Sequence, residues 1–343
     1  MNFTSTRIPY RQTGAFSRIV VDYIDQAEAL KPFYADAPSL PGIQKAIKAR
    51  QQFPNHRELL VQELKKQYEG IAVHAKVTDH INALLSPDTF TITTAHQNNI
   101  FTGPLYFIYK IIHAIKLADT LNRSMPDYRF VPVYYIGSED ADLDELNHIR
   151  LNGEKLTWST KQKGAVGRMK LDKQVTALID HMEGQLGILP FGKEIINLIR
   201  ESYQEGSTLQ EATFRFVHAL FSEFGLLVLL PDNANLKRTM IPVFREELLQ
   251  QPAAAIIEKS AAALNEADYK VQASAREINL FYLKEDIRNR IEKKGEQYQV
   301  VDTNLRFSQE EMLTELEAHP ERFSPNVILR GLYEETILPN IAF

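Results

Sequence analysis

The chain has 343 residues, 44% of them apolar and 24% charged, which is enough to bury a sizeable core in one large domain or two. A net charge of −5 leaves no basic footprint for nucleic acid or an anionic membrane, and the absence of cysteine excludes disulfides, thiolate metal sites and a cysteine nucleophile. The opening "MNFTSTRIPYRQ" lacks an apolar signal core and no run approaches the ~18 apolar residues of a membrane span, so the expectation is a cytoplasmic protein without membrane or nucleic-acid partners.

Taken in chain order, residues 1–80 predict a helical segment: "FSRIVVDYIDQ" and "ELLVQELKKQY" place apolar residues at three- and four-residue spacing, with "YADAPSLPG" between them as a loop. "TFTITTA" (89–95) is short and β-branched and predicts a buried strand. "GPLYFIYKIIHAIKLADTLNR" (103–123) predicts a long helix with Thr102 as N-cap and Pro104 in its first turn. "YRFVPVYYIGS" predicts a second buried strand. Strand, turn, helix and strand make the unit of a parallel α/β sheet.

Between 149 and 172, Asn-Gly and Lys-Gly turns separate short alternating runs and predict antiparallel hairpins, with Trp158 in their core. Helices are expected at about 191–204 and 209–224, and "GLLVLLP" (225–231) as a further buried strand. "INLFYLKEDIRNRIEKKGEQYQVV" predicts a second antiparallel hairpin region. "SQEEMLTELEAH" carries the capping pair Ser308 and Glu311. The domain plan is an α/β core at 81–148 and about 205–250, connective insertions at 149–204 and about 251–320 with small antiparallel β and helical content, and a return to the core at 321–343.

Ligands of an open α/β sheet bind beyond the carboxyl ends of its strands. Two strand ends carry unusual chemistry. In "AHQNNIFTG" (95–103), His96 and Gln97 supply donors, Thr102 a hydroxyl, and Gly103 a close backbone approach at a helix start that favours an anion. Lys110 lies about 9 Å along the helix axis and leans back toward that end. The bland alternative is that Thr102 merely caps and Lys110 snorkels. In "GSEDADLDE" (137–145), five acids follow an apolar run: Glu139, Asp140, Asp142, Asp144 and Glu145. The cluster reads as a solvated turn, a divalent metal site, or a grip on an amine. The glycine and terminal glutamate of an EF-hand are missing, and no metal ligand set is assigned. His113 and His148 read as packing or surface residues, and "KQKGAVGR" as a turn.

These residues carry a resemblance. "IPYRQTG", "HQNNIFTGPLYFIYK", "VPVYYIGSEDADLDELNHI", "GAVGRMKLD", "EFGLLVLLPDNANLK", "REINLFY" and "SPNVILRGLYEETILPN" resemble, in the same order, segments of the bacillithiol biosynthesis cysteine-adding enzymes, the BshC family. The resemblance implies a Rossmann-like core with inserted segments, followed by a C-terminal coiled coil through which a homodimer would form. It implies a ligase that joins cysteine to glucosaminyl-malate through an amide bond, with ATP and Mg as the natural means of activating the carboxylate. It implies a nucleotide or carboxylate side at His96, Gln97, Thr102, Gly103 and Lys110. Across from it, Ser138, Glu139, Asp140 and Asp142 would hold an ammonium or accept the proton released as an amine attacks. Ala141 stands where the family usually carries histidine, Ala95 where it carries glycine, and Gly331 where proline is common; the chain stops at Phe343, where the family runs on toward its coiled coil. A relative that binds a nucleotide or partner without turnover is the alternative.

Overall fold

The computed structural model describes residues 4, 6–53 and 55–342. Before the first strand come α1 (Tyr10–Thr13), α2 (Arg18–Ile24), α3 (Leu40–Gln51), α4 (Arg57–Gln67) and α5 (Ala75–Ala83). α3 begins inside the expected loop: the Ser39 hydroxyl accepts from the Gly42 N–H at 3.2 Å, and Pro41 sits in the first turn, where its missing N–H costs nothing.

β1 (Thr89–Gln97), α6 (Tyr106–Ser124) and β2 (Arg129–Gly137) form the expected strand–helix–strand unit. The strands pair in parallel from Thr89 opposite Arg129 to Gln97 opposite Gly137. β2 is buried from Phe130 onward, the unbroken apolar run expected of a strand covered on both faces.

α7 (Leu143–Leu146) leads into a hairpin of β3 (His148–Leu151) and β4 (Glu154–Thr157). Its two-residue turn is Asn152-Gly153, both at positive φ as a tight hairpin turn requires. The second expected turn does not join strands. Lys163-Gly164 runs into a 3₁₀ turn at Val166–Arg168, because this segment packs against other backbone: the Val166 and Gly167 N–H groups donate to the Asp140 and Ser138 carbonyls at 2.7 and 2.9 Å. Helices α8 (Lys173–Leu186), α9 (Gly192–Ser202) and α10 (Leu209–Phe221) follow. α8 was not expected, although its Asp172 N-cap, which accepts from Gln174 N–H, is a legible signal.

β5 (Leu227–Leu229) returns beside β2. After α11 (Ala234–Arg238), α12 (Ile241–Gln250) and α13 (Pro252–Glu266) come β6 (Leu280–Lys284), β7 (Ile287–Lys294), β8 (Gln297–Val300) and β9 (Arg306–Ser308). α14 (Gln309–Ala318), with the Ser308–Glu311 capping box in place, leads through β10 (Phe323–Pro325) and α15 (Val327–Ile337) to β11 (Asn340–Ala342). The expected second hairpin is thus part of an antiparallel sheet in the order β10-β6-β7-β8-β9.

The parallel sheet runs β11-β1-β2-β5. The chain builds it outward from β1 through β2 to β5, then places β11 on the other side of β1. The strand order therefore reverses at β1, the kind of place where α/β proteins bind ligands. The fold is α/β and Rossmann-like, with an antiparallel sheet set against the carboxyl end of the parallel one. One apolar core joins α4, α5 and α10 to β2 and β5, and continues into β6–β8 and α14. A second surrounds Trp158 in the hairpin and α8–α10, and a third covers β1 beneath α3 and α6.

Candidate active site

Two clefts open at the carboxyl ends of β1 and β2, and Gln97 lines both. The first, about 440 Å³, lies between the parallel sheet, the antiparallel sheet and the start of α15. Its charged lining is Arg276, Arg288, Arg290 and Arg330 against Asp140 alone. β7 supplies Arg288 and Arg290, two residues apart and therefore on one face of the strand. α15 supplies Arg330, four residues beyond the Asn326 N-cap, which also lines the cleft.

Arg288 is the least solvated of these cations. Its side chain is 8% exposed, its guanidinium lies 4.0 Å from the centre of the Phe281 ring, and its Nε has no hydrogen-bond partner. Burial lowers its pKa despite the pull of Asp140. A buried guanidinium with an unspent donor, beside further cations, favours an anionic ligand.

The acidic turn divides in two. Glu139 and Asp140 are buried and already paired. Lys237, fully buried on α11, donates to Glu139, whose other oxygen accepts from the Ser324 hydroxyl at 3.1 Å. Asp140 accepts from Arg330 at 2.6 Å and lies 3.8 Å from Arg288. Both therefore face cations of this chain, which sequence reasoning did not anticipate. Asp142, at the N-terminal cap position of α7, is exposed, as are Asp144 and Glu145 behind it. Ser138 is buried; its Oγ has no partner, and its backbone is met so closely by Gly167 that a Cβ there would stand 2.4 Å from the Ser138 carbonyl oxygen.

The second cleft, about 420 Å³, is lined by Gln97, Asn99, Gly103 and Tyr106 on one side and Glu145, His148 and Arg150 on the other. Here the helix start differs from expectation. Ile100, Phe101 and Thr102 form a 3₁₀ turn, with Phe101 at φ 48° and Thr102 at φ 70°, and Gly103 follows at φ 67°. Thr102 is buried inside that turn and does not cap α6, which starts at Tyr106 with no side-chain cap. Lys110 donates to the Ala95 carbonyl and so is held against the strand. Thr102 and Lys110 are thus engaged within the chain, and of these three residues Gly103 alone lines the cleft. His96 is turned beneath Tyr106 and Phe107, with ring centroids 5.2 and 5.6 Å away. Its Nε2 has no partner, and burial, with the Lys110 charge adding to it, pushes its pKa down to about 4. Neither cleft is lined by His96.

The model of bacillithiol biosynthesis BshC, N-terminal Rossmann-like domain, matches residues 1–343. The chain belongs to the BshC family. Two relatives, each named "Putative cysteine ligase BshC", show how far the match extends. That of Cytophaga hutchinsonii is 41% identical over 99% of this chain, and that of Flavobacterium psychrophilum 42% identical over 98%. In both, the match covers 63% of the relative, so the chain spans a little under two thirds of their length. Within this BshC domain, the cations of the site come from residues that sequence reasoning passed over. The signal was present but weak: Arg288 and Arg290 alternate along a strand. Among the described residues, no helix is long and apolar enough to cross a membrane.

Proposed function

We propose that this domain holds the substrate site of a ligase that joins cysteine to glucosaminyl-malate. The observation that carries the reading is the arginine cleft at the carboxyl end of the parallel sheet. Malate is a dicarboxylate, and guanidinium pairs match carboxylates in charge and in bidentate geometry. Arg288 and Arg330 receive one carboxylate, and Arg276 and Arg290 lie on the same lining for the second. The glucosamine amine then points out of the cleft toward Gln97 and the second compartment, where cysteine binds. The amine nitrogen bonds to the cysteine carboxyl carbon, the activated oxygen leaves, and the amine gives up a proton.

Of the first three acids in the turn, Glu139 and Asp140 are bound to internal cations. Asp142 is exposed and, among the described residues, has no salt-bridge partner. The role of holding the ammonium or accepting its proton therefore passes to Asp142. ATP with Mg remains the proposed source of carboxylate activation, with no residue assigned to it.

The test is calorimetry of L-malate with this chain, followed by thiol product formation from cysteine and glucosaminyl-malate in a chain extended to the length of its relatives. Arg330→Ala is expected to weaken malate at least tenfold. Asp142→Asn is expected to leave malate binding within twofold and to cut product formation at least tenfold. Malate binding without product, with and without ATP and Mg, would leave a binding protein in place of a ligase.

A further inference from the structure

Arg168, Asp232, Lys237 and Glu139 form a chain of alternating charge inside the protein. Arg168 grips Asp232 with two donors at 2.6 Å each. Lys237 lies 3.5 Å from the same carboxylate and donates to Glu139. Glu139 then accepts from Ser324 on β10. Arg168 and Lys237 both also donate to the Glu321 carbonyl, at 3.2 and 3.3 Å. Burial by itself would raise the Asp232 pKa, yet Lys237 and Arg168 outweigh it and hold the carboxyl below its ordinary value.

The segments joined in this way surround the arginine cleft. Glu139 precedes Asp140, which orients Arg330 and Arg288. Ser324 lies two residues before Asn326, which caps the helix carrying Arg330. Arg168 follows Gly167, whose N–H holds the Ser138 carbonyl. Lys237 lines neither cleft and is fully buried.

We propose that Lys237 is a positioning residue of the arginine cleft. By locking Glu139 it fixes the turn that aims Asp140, and Asp140 in turn holds two mutually repelling guanidiniums ready for an incoming carboxylate. Replacing a salt-bridged pair by neutral residues of similar shape is often tolerated, whereas removing one partner leaves a buried orphan charge. The informative variant is therefore the double substitution Lys237→Met with Glu139→Gln, with Ser324→Ala as a milder probe of the same link.

The inference rests on the dicarboxylate reading of the cleft, and the experiment separates the two. L-malate affinity is measured by calorimetry well below each variant's melting midpoint, and KM and kcat are measured in the extended chain. The double variant is expected to fold, to bind L-malate at least tenfold more weakly, and to raise KM for glucosaminyl-malate by a similar factor while kcat changes less than threefold. Ser324→Ala is expected to show a two- to fivefold loss in the same direction. A purely structural network would lower the melting midpoint and leave affinity and KM unchanged, and that result, with parental L-malate binding intact, would overturn the inference. Absence of L-malate binding in the parent would instead overturn the dicarboxylate reading and the inference with it.

Discussion

The loops that leave β1 and β2 begin side by side, with Gln97 opposite Gly137, yet different forces hold them. The loop after β1 is held by apolar burial and backbone geometry. Ile100 and Phe101 pack into the insertion core, and three successive residues sit at positive φ. For Phe and β-branched Thr that conformation costs about 1–3 kcal/mol each, maintained only because the surroundings leave no alternative. The loop after β2 is held by ion pairs to residues about one hundred and two hundred positions away. Equivalent places in a fold can therefore be fixed by strain or by charge, and the two respond to different perturbations.

The largest effect is expected where a buried charge is orphaned. Glu139→Ala removes the Lys237 partner and should destabilise the protein by about 3–5 kcal/mol in denaturant unfolding. Gly103→Ala tests the other loop. At φ 67° the new Cβ would stand 2.8 Å from the Asn99 side chain, and a loss of about 1–3 kcal/mol is expected. A loss as large as that of Glu139→Ala would erase the distinction between the loops.

A pH series sharpens it further. The His96 pKa is depressed from 6.5 to about 4 in the folded state, so between these values the unfolded chain binds more protons. Stability from this group is complete above pH 6.5 and falls as pH drops toward 4, with a slope of at most about 1.4 kcal/mol per unit. Glu334 acts oppositely. Its buried carboxyl is raised to about 8, so its contribution is lost as pH rises from 4.5 through 8. His96→Phe should flatten the acid side of the profile, and Glu334→Gln the neutral side; an unchanged acid limb in His96→Phe would refute the assignment. The smallest effect is reserved for Asp144→Asn, an exposed acid in the same turn as Glu139, which should change stability by less than about 0.5 kcal/mol.

The parallel core was legible because its signals are local. β-branched and apolar runs marked β1, β2 and β5, Asn152-Gly153 marked the hairpin, and Ser308 with Glu311 marked α14. The acidic turn also stood out. What it faces was not legible, since Lys237 and Arg330 lie far along the chain and nothing local distinguishes either from a surface cation. Nor does "IFTG" announce a left-handed turn, because Phe and Thr are poor turn formers and only tertiary packing imposes the conformation. Gln97 was placed correctly at the strand end, but its position between two clefts depends on β7 and α15 arriving from elsewhere in the chain.

The same long reach bears on how the molecule assembles. The contacts between Glu139 and Lys237, Glu139 and Ser324, and Asp140 and Arg330 span 98, 185 and 190 residues. Contacts of such separation pay their loop-closure entropy before they return any energy. The β3–β4 hairpin and β1–α6–β2 can form early from nearby residues, whereas the arginine cleft closes only once α15 has docked. Pulsed hydrogen exchange during refolding is therefore expected to protect the amides of β1 and β2 before those of Val327–Arg330, making competence to bind an anion the last property the folding chain acquires.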